Sequence, residues 1–329
     1  MIHNRSKRDG FTLIELLVVI SIIALLISIL LPAMVGARRT GQRVACMAQM
    51  RRLAEGAVQY GHDNNDWIVG SPSGSGAYLL GETSAFGPAV QNWDFMGPLA
   101  HMWNSGFSLP AQGDVNGLVQ RFNEIRNFKG FLCAANKFLA TRFAGPEAGA
   151  GWMVSYNTIR YQLYTKATAP SSHSEQLPND WRPSISRVGN PANKVFCADG
   201  SRFATISVAP DYDLRPNAGF GGTFSDAGPY STFTRSWDRT WAPGNGSHVG
   251  VDARFFAYRH ATAEPVSGAK ADTFKMNLAF YDGHVETQGD LQSSNPHQWL
   301  PAGSTLIGGT AWTDTVQRFG LTGDTPIGY

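Results

Sequence analysis

Glu15 is the one charged residue in a long apolar run, and its carboxylate is the first group in the sequence that requires a chemical explanation. The run extends from Phe11 to Leu31. Placing a carboxylate in such a segment costs a few kcal/mol in a membrane. The cost falls when the carboxylate faces a cation in surroundings of low dielectric constant. Glu15 therefore needs a specific reason to lie in this run.

His260, Asp282 and His284 form a second group with chemical potential, because imidazole and carboxylate are ordinary metal ligands. These three residues therefore define a candidate metal site. Each residue also fits a purely structural role. Asp282 suits a turn, His284 lies at a strand position, and His260 lies at the edge of a loop.

Common catalytic motifs are absent from the sequence. No HExxH, P-loop, GxGxxG, CxxC or GxSxG pattern occurs, so the usual hydrolase, nucleotide-binding and zinc-binding signatures are missing. The net charge is only +2, and the basic residues concentrate near the apolar run. This distribution differs from the basic face of a nucleic-acid-binding protein. We expect a protein that is not an enzyme, needs no cofactor and binds no nucleic acid.

The apolar run has the length of a membrane-spanning helix. About 20 residues at a rise of about 1.5 Å cross the roughly 30 Å hydrocarbon core of a bilayer. The preceding segment, MIHNRSKRDG, carries three basic residues against one acidic residue. Basic residues also follow the run, at Arg38, Arg39 and Arg43. Charge counting alone therefore leaves the orientation open.

The string Gly10-Phe11-Thr12-Leu13-Ile14-Glu15 resembles the cleavage and methylation signature of the type IV pilin-like and type II secretion pseudopilin family. The resemblance implies cleavage by prepilin peptidase between Gly10 and Phe11, followed by N-methylation of Phe11. It also implies that Glu15 pairs with the terminal amine of a neighbouring subunit during filament assembly. The implied partners are other pilin or pseudopilin subunits and an inner-membrane assembly platform.

The same resemblance implies a location. The chain would cross the inner membrane once, with its N-terminus in the cytoplasm. Its head would lie in the periplasm or, after assembly, on the cell surface.

The N-terminal segment also fits two simpler roles. Glu15 would be a tolerated charge in an ordinary single-pass anchor, or the segment would be a secretory signal peptide. Val35-Gly36-Ala37 offers small residues suited to signal peptidase, with Pro32 upstream. Against the signal peptide, the apolar segment exceeds the usual 7–15 residues and carries an acid near its start.

The helical pattern continues beyond Pro32, which removes a backbone donor and should kink the helix. Apolar residues then recur at helical spacing, at Cys46, Met50, Leu53, Ala57 and Tyr60. Gly61 is the predicted C-cap. We therefore predict one helix over residues 11–60, with residues 11–31 in the membrane and residues 32–60 as a stem.

Residues 61–329 are predicted to form one β-rich head, because short aromatic and β-branched runs alternate with turn formers. Residues 1–10 would be the leader peptide. The fold class is thus α+β and pilin-like, with a long N-terminal transmembrane helix packed on an antiparallel sheet.

The clearest hairpin in the head has a predicted two-residue turn at Asp282-Gly283. Alternating residues before the turn predict a strand with one buried face. This register places Phe280 opposite Val285 and Tyr281 opposite His284. A second Asp-Gly pair, Asp199-Gly200, predicts another hairpin.

The C-terminal part of the chain resembles prepilin-type proteins less closely than the N-terminal motif does. Arg259-His260, followed by the segment 277–285, is similar to a signature of large prepilin-type proteins in which a histidine precedes Asp-Gly by about nine residues. Here residues 261–272 form an apparent insertion between the two parts. Major pseudopilins often carry a calcium loop near the C-terminus, which makes calcium one metal to consider here.

The three cysteines, Cys46, Cys133 and Cys197, make an odd number for a head in an oxidising compartment. One bridge plus one buried thiol fits this number. Cys197 lies in a predicted strand and Cys46 on the docking face of the helix, so we predict a bridge between Cys46 and Cys133.

These features predict a structural filament subunit. A membrane-anchored periplasmic module that binds carbohydrate or another ligand, and never polymerises, is the alternative. Its binding residues would come from aromatic loops that contain Trp93, Trp103, Trp237 and Trp241.

The N-terminus of the mature protein distinguishes the processing routes. Mass spectrometry of protein isolated from cells should give N-methyl-Phe11 as the first residue. A chain that begins at Arg38 would indicate a signal peptide, and an intact residue 1–10 segment would contradict prepilin processing.

Overall fold

A computed structural model describes most of the chain. The described residues are 11–69, 95–103, 128–136, 139–142, 151–152, 155–159, 175–200, 211–212, 224–225, 227–231, 256–260 and 270–328. The predicted leader, residues 1–10, lies outside them, and so do Trp93, Trp237 and Trp241. The chain divides into two compact units, Met1–Gly41 and Gln42–Tyr329.

The first element is the long helix α1, which spans Leu13–Asp63 and contains Pro32. It extends past Gly61, the predicted C-cap. A Cβ on Gly61 would lie 2.4 Å from Cδ1 of Ile185, so glycine at this position permits close packing. The helix ends just before Asn65 and Asp66, which adopt positive φ angles of 54° and 69°.

Asp66 anchors the end of α1 to the head. Its carboxylate accepts hydrogen bonds from the hydroxyl groups of Ser184 and Ser186, and the Ile185 amide donates to its backbone carbonyl at 3.0 Å. Burial raises the pKa of Asp66, but the hydrogen bonds from Ser184 and Ser186 outweigh it and lower the pKa overall. The carboxylate therefore remains ionised at neutral pH.

The stem of α1 packs as the apolar spacing predicts. The five predicted stripe residues are all buried, together with Ala54, Gly56 and Gly61. Arg52, Glu55 and Gln59 are exposed on the other side. Each large apolar side chain buried in this way contributes about 1.5–3 kcal/mol, so the stem is part of the core.

The remaining elements are short. The strands are β1 (Leu139–Arg142), β2 (Gly151–Trp152), β3 (Tyr156–Ile159), β4 (Glu175–Gln176), β5 (Val195–Asp199), β6 (Asp211–Tyr212), β7 (Phe224–Ser225), β8 (Lys275–Phe280), β9 (Val285–Gly289), β10 (Thr305–Leu306) and β11 (Thr325–Pro326), and the further helices are α2 (Met96–Trp103), α3 (Pro296–Trp299) and α4 (Thr313–Phe319). Short 3₁₀ turns cover Lys129–Phe131, Ile185–Arg187, Pro191–Asn193 and Gln292–Ser294.

The central sheet has the strand order β7-β3-β5-β8-β9. The strands β3, β5, β8 and β9 pair antiparallel, and β7 adds to β3 in parallel. Two small sheets have the orders β2-β1-β6 and β11-β10-β4. A long N-terminal helix on an antiparallel sheet gives the predicted α+β, pilin-like layout.

Both faces of β8 are buried, which corrects the prediction of one buried face. Met276 and Leu278 are fully buried, and so are Asn277 and Ala279 between them. The face with Asn277 lies against α1, since Thr287 beside it contacts the Met47 sulfur at 3.6 Å. A central strand covered on both sides carries no exposed polar row.

The β8–β9 hairpin differs by one residue from the predicted register. Ala279 pairs with Val285, and Phe280 donates its amide hydrogen to the His284 carbonyl at 3.0 Å. The turn thus has three residues and ends at Gly283, whose φ of +92° favours glycine. Tyr281 does not pair with β9, because its backbone amide donates to the backbone carbonyl of Lys194 at 3.0 Å.

Lys194 is a buried cation that holds the C-terminal segment. Its Nζ donates to the backbone carbonyls of His297, Leu300 and Gly328 at 2.8, 2.8 and 2.9 Å. Burial lowers the pKa of Lys194 to about 8. Three carbonyls on one ammonium replace the water that a buried charge loses.

A disulfide joins α1 to the head. Cys46 and Cys133 are bonded, with their Cα atoms 4.9 Å apart and a sequence separation of 87. Gln42 and Gln49 on α1 add hydrogen bonds to the backbone carbonyls of Ala134 and Lys129, each at 3.1 Å. Cys197 is free and buried, and burial raises the pKa of its thiol well above the usual value.

Replacing Lys194 by methionine should destabilise the head. The substitution leaves three buried carbonyls without their charged donor, and each such loss costs about 1–3 kcal/mol. We expect a decrease of about 3 kcal/mol in the free energy of unfolding, measured by denaturant titration of the full chain in detergent. The control Lys270→Met, at an exposed position, should change it by less than about 0.5 kcal/mol. Equal effects of the two substitutions would contradict the role of Lys194.

A peptide map under non-reducing conditions should recover Cys46 and Cys133 in one linked peptide. A Cys133 thiol that reacts with an alkylating agent would contradict the bridge.

Closing a loop of this length restricts the unfolded chain, so reduction should lower the free energy of unfolding by about 3–4 kcal/mol. Cys197 should be alkylated only after unfolding.

Candidate functional site

The carboxylate of Glu15 lies at the start of α1, where its own chain satisfies it locally. Thr12 donates its backbone amide and its hydroxyl to Glu15 Oε2, each at 2.8 Å. The Glu15 amide donates in return to the Thr12 hydroxyl at 3.2 Å. This arrangement is a capping box, and the positive end of the helix dipole adds to it. The cap holds the Glu15 carboxylate at the first turn of the helix.

The predicted processing site precedes this cap. Phe11 and Thr12 come before the first helical residue, Leu13, and Phe11 is 72% exposed. Gly10 lies outside the described residues. A new amine on Phe11 would therefore be one residue away from the residue that caps Glu15.

The first part of α1 presents an apolar surface. The large apolar side chains from Phe11 to Val35 are each 46–86% exposed. The core helix of a soluble protein would bury such residues. By length and composition, α1 is able to cross a membrane.

The three residues of the predicted metal site do not form one site. Asp282 and His284 do meet in the hairpin turn, with Nδ1 of His284 2.5 Å from Oδ1 of Asp282. His260 instead lies at the other end of β8, where its amide donates to the Lys275 carbonyl at 3.0 Å. A six-residue strand, about 20 Å long, separates them. The prediction of a shared site is therefore wrong.

His284 has structural contacts that account for its position. Its ring stacks on Phe280, with the ring centroids 4.2 Å apart and the planes at 8°. Its Nε2 is 3.6 Å from the Glu286 carboxylate. The Asp282 carboxylate also accepts the His284 amide at 3.1 Å, as turn aspartates do.

His260 belongs to a buried polar cluster that sequence reasoning missed. Its Nε2 is 3.2 Å from Oδ2 of Asp199. Arg259 Nη1 is 3.7 Å from Oδ1 of the same carboxylate, and the side chains of Arg259 and Asp199 are fully buried. Asn277 donates its backbone N–H to Asp199 Oδ2 at 2.7 Å. A buried carboxylate is thus balanced by one arginine and hydrogen bonds.

Arg259 also links the ends of two strands. Its two Nη atoms donate to the carbonyls of Ser155 and Gly200, each at 2.7 Å. Ser155 in turn accepts the Cys133 amide at 2.8 Å on its hydroxyl. The cluster therefore connects the central sheet to the segment that carries the disulfide.

Asp199 is the last residue of β5, which corrects its assignment to a hairpin turn. It pairs with Tyr156 of β3 on one side, while Asn277 of β8 donates to its carboxylate on the other. Its neighbour Gly200 donates to the Ser155 carbonyl at 2.8 Å. The Asp-Gly dipeptide was a misleading local signal, because the aspartate serves a long-range charge pair.

Trp103 lies on a groove beside α1. The residue is 38% exposed, and its ring stacks on Phe128, with the centroids 6.2 Å apart and the planes at 18°. The groove has a volume of about 500 Å³, and Arg52, Glu55 and Gln59 contribute polar groups to it. Of the four tryptophans considered for ligand binding, this is the one that the described residues include.

Comparison with known proteins identifies the N-terminal segment. Residues 5–31 match the family model described as the prokaryotic N-terminal methylation motif. Comparison with curated proteins and with solved structures gives no significant match. The matched segment contains Phe11, the capping box of Glu15 and the apolar part of α1. The chain therefore carries a prepilin-type N-terminal methylation motif, in agreement with its resemblance to the type IV pilin-like and pseudopilin family.

Proposed function

We propose that the chain is a structural subunit of a type IV pilus-like or type II secretion pseudopilus filament. The observation that carries the proposal is the position of Glu15. It is an exposed carboxylate at the start of an exposed apolar helix, within the methylation motif. In a filament, neighbouring helices would cover the exposed apolar surface of α1. The amine of a neighbouring subunit would face the Glu15 carboxylate.

The energetics of such an assembly follow from its surroundings. Lipid covers the apolar face of α1 as well as a neighbouring helix does, so apolar burial alone does not favour leaving the membrane. An ion pair between Glu15 and an amine is stronger in a helical bundle than in water. The pair would therefore select one axial stagger between subunits, and repetition of a head-to-tail contact would build a filament without closed symmetry.

The capping box gives Glu15 a local partner before assembly. Thr12 holds the carboxylate through two hydrogen bonds of 2.8 Å. This lowers the cost of an unpaired charge near the membrane surface. Exchange of the Thr12 contacts for a subunit amine would then accompany incorporation into the filament.

Processing and location follow from the same proposal. Prepilin peptidase would cut after Gly10 and methylate Phe11, and an inner-membrane platform would assemble the subunits. The N-terminus would be cytoplasmic, and the head would lie in the periplasm or on the cell surface. The disulfide between Cys46 and Cys133 supports an oxidising location for the head.

The groove at Trp103 supports a second candidate, a membrane-anchored binding module that does not polymerise. An aromatic ring with polar groups around it suits a carbohydrate. Trp103 and Phe128 would contact a sugar face, and Arg52 or Glu55 would bind hydroxyl groups. No common catalytic motif occurs in the sequence, so enzyme activity is not proposed for this groove.

Glu15→Ala separates the two candidates. Removing one partner of a buried ion pair costs about 3–5 kcal/mol, so filament assembly should fall at least about a hundredfold. The measurement is the yield of sheared filaments and of cross-linked multimers from cells that express the full chain. Mass spectrometry of the same samples should show normal cleavage at Phe11.

Ser28→Ala is the matched control. Ser28 lies in the same apolar helix, and its hydroxyl donates to the Leu25 carbonyl of its own helix at 2.7 Å. This variant should assemble normally. A correctly processed Glu15→Ala chain that assembles as well as the wild type would refute the filament proposal and favour the binding module.

A further inference from the structure

Four potential ligand atoms converge at the disulfide of the head. The sulfurs of Cys46 and Cys133 and Nε2 of His260 lie within 4.8 Å of one another, and all three residues are buried. The Asp199 carboxylate is next to them, with Oδ2 3.2 Å from the same Nε2. The residues come from α1, the segment 128–136, the segment 256–260 and β5, so the fold alone brings them together.

One ring nitrogen of His260 faces both the sulfur and the carboxylate. Its Nε2 is 3.7 Å from Cys133 Sγ and 3.2 Å from Asp199 Oδ2. A catalytic histidine that relays a proton uses its two nitrogens on two different partners. Here one nitrogen meets both the sulfur and the carboxylate, an arrangement that is compatible with neighbouring ligands around one centre.

Two of the distances agree with tetrahedral zinc, and the two sulfurs would move apart once the bond between them is broken. Zinc lies about 2.3 Å from sulfur and about 2.0–2.2 Å from nitrogen or oxygen. Tetrahedral angles then place sulfur and nitrogen about 3.6 Å apart, and nitrogen and oxygen about 3.4 Å apart. The distances of Nε2 to Cys133 Sγ and to Asp199 Oδ2, 3.7 and 3.2 Å, are close to these values.

We propose that reduction of the Cys46–Cys133 disulfide converts this cluster into a zinc site. The ligands are the sulfurs of Cys46 and Cys133, Nε2 of His260 and a carboxylate oxygen of Asp199. Soft thiolates and imidazole select zinc over calcium, which prefers oxygen ligands. The site is independent of filament assembly, because its ligands all belong to the head unit.

The chemistry balances with a dithiol as the reductant. The dithiol supplies two electrons and two protons and becomes a disulfide, while the Cys46–Cys133 bond breaks and gives two thiols. Zinc binding then releases both thiol protons to solvent. Two thiolates and the Asp199 carboxylate are matched by the zinc ion and the Arg259 guanidinium, so the buried cluster keeps no net charge.

Hydrogen bonds hold the Cys133 sulfur and the turn that carries it. The Ala135 amide donates to the Cys133 sulfur at 3.4 Å. The Cys133 amide and the Asn136 side chain donate to the Ser155 hydroxyl at 2.8 and 2.9 Å, which fixes this turn. Asp199 Oδ2, the oxygen next to Nε2, accepts the Asn277 backbone amide at 2.7 Å, and a carboxylate oxygen has a second lone pair that a metal ion can use.

The experiment uses the full chain in detergent, reduced with dithiothreitol and desalted without oxygen. Zinc chloride is added, and bound zinc is measured by mass spectrometry of the metal. The reduced chain should retain one zinc ion per molecule, and the oxidised chain should retain less than a tenth of that. Cobalt in place of zinc should give the thiolate charge-transfer and d–d bands of a tetrahedral site.

Two ligand variants and two controls assign the site. His260→Ala and the near-isosteric Asp199→Asn should weaken zinc binding to the reduced chain by at least about tenfold. His284→Ala removes the exposed histidine of the hairpin, and Cys197→Ser removes the free thiol, so both should bind like the wild type. Tryptophan fluorescence of the oxidised variants checks that each one folds.

Several results would overturn the proposal. One is a reduced wild-type chain that retains no zinc. Another is equal zinc retention by the oxidised and reduced chains. A third is loss of zinc in His284→Ala with normal binding in a folded Asp199→Asn, which would place the metal at the hairpin instead.

Discussion

The packing of the α1 stem on the central sheet is the interaction on which the rest of the head depends. The buried face from Cys46 to Gly61 lies against the sheet, and Tyr156 of β3 donates to Gln49 of α1 at 2.9 Å. Small residues on the stem also let α2 and the 3₁₀ turn Ile185–Arg187 approach it closely, since a Cβ on Gly56 or Gly61 would collide with Trp103 or Ile185. The same helix continues from this face into the exposed apolar segment, so one element contributes to the protein core and carries the candidate membrane span.

Buried charges organise the head around that packing. Lys194 donates hydrogen bonds to three carbonyls of the C-terminal segment. Asp199 pairs with Arg259 and His260 beside the disulfide. Each charge loses its hydration on burial and must regain equivalent contacts from the protein. These contacts join segments far apart in sequence, and they place a histidine, a carboxylate and two sulfurs at one point. The candidate zinc site thus arises from the same contacts that order the fold.

The hairpin after β8 shows how far local sequence rules extend. The Asp-Gly pair correctly predicts a turn between two strands, because glycine relieves the steric cost of a positive φ angle. The exact register depends on Tyr281. Its ring packs on Phe196 with the centroids 5.5 Å apart, and its backbone amide donates a hydrogen bond to the Lys194 carbonyl. A contact with a neighbouring strand therefore adds one residue to the turn. The same limit applies to Asp199, which local rules assign to a turn and the fold places in a strand.

The sequence by itself determined the N-terminal region. The methylation motif, the apolar run and the buried stripe of the stem are contiguous or repeat with the helical period, so neighbouring residues carry the whole signal. The tertiary structure decided the neighbours of His260, the coverage of both sheet faces and the hydrogen bonds of Lys194. These features depend on segments that only folding brings together, and a spacing along the chain does not encode a distance across a sheet.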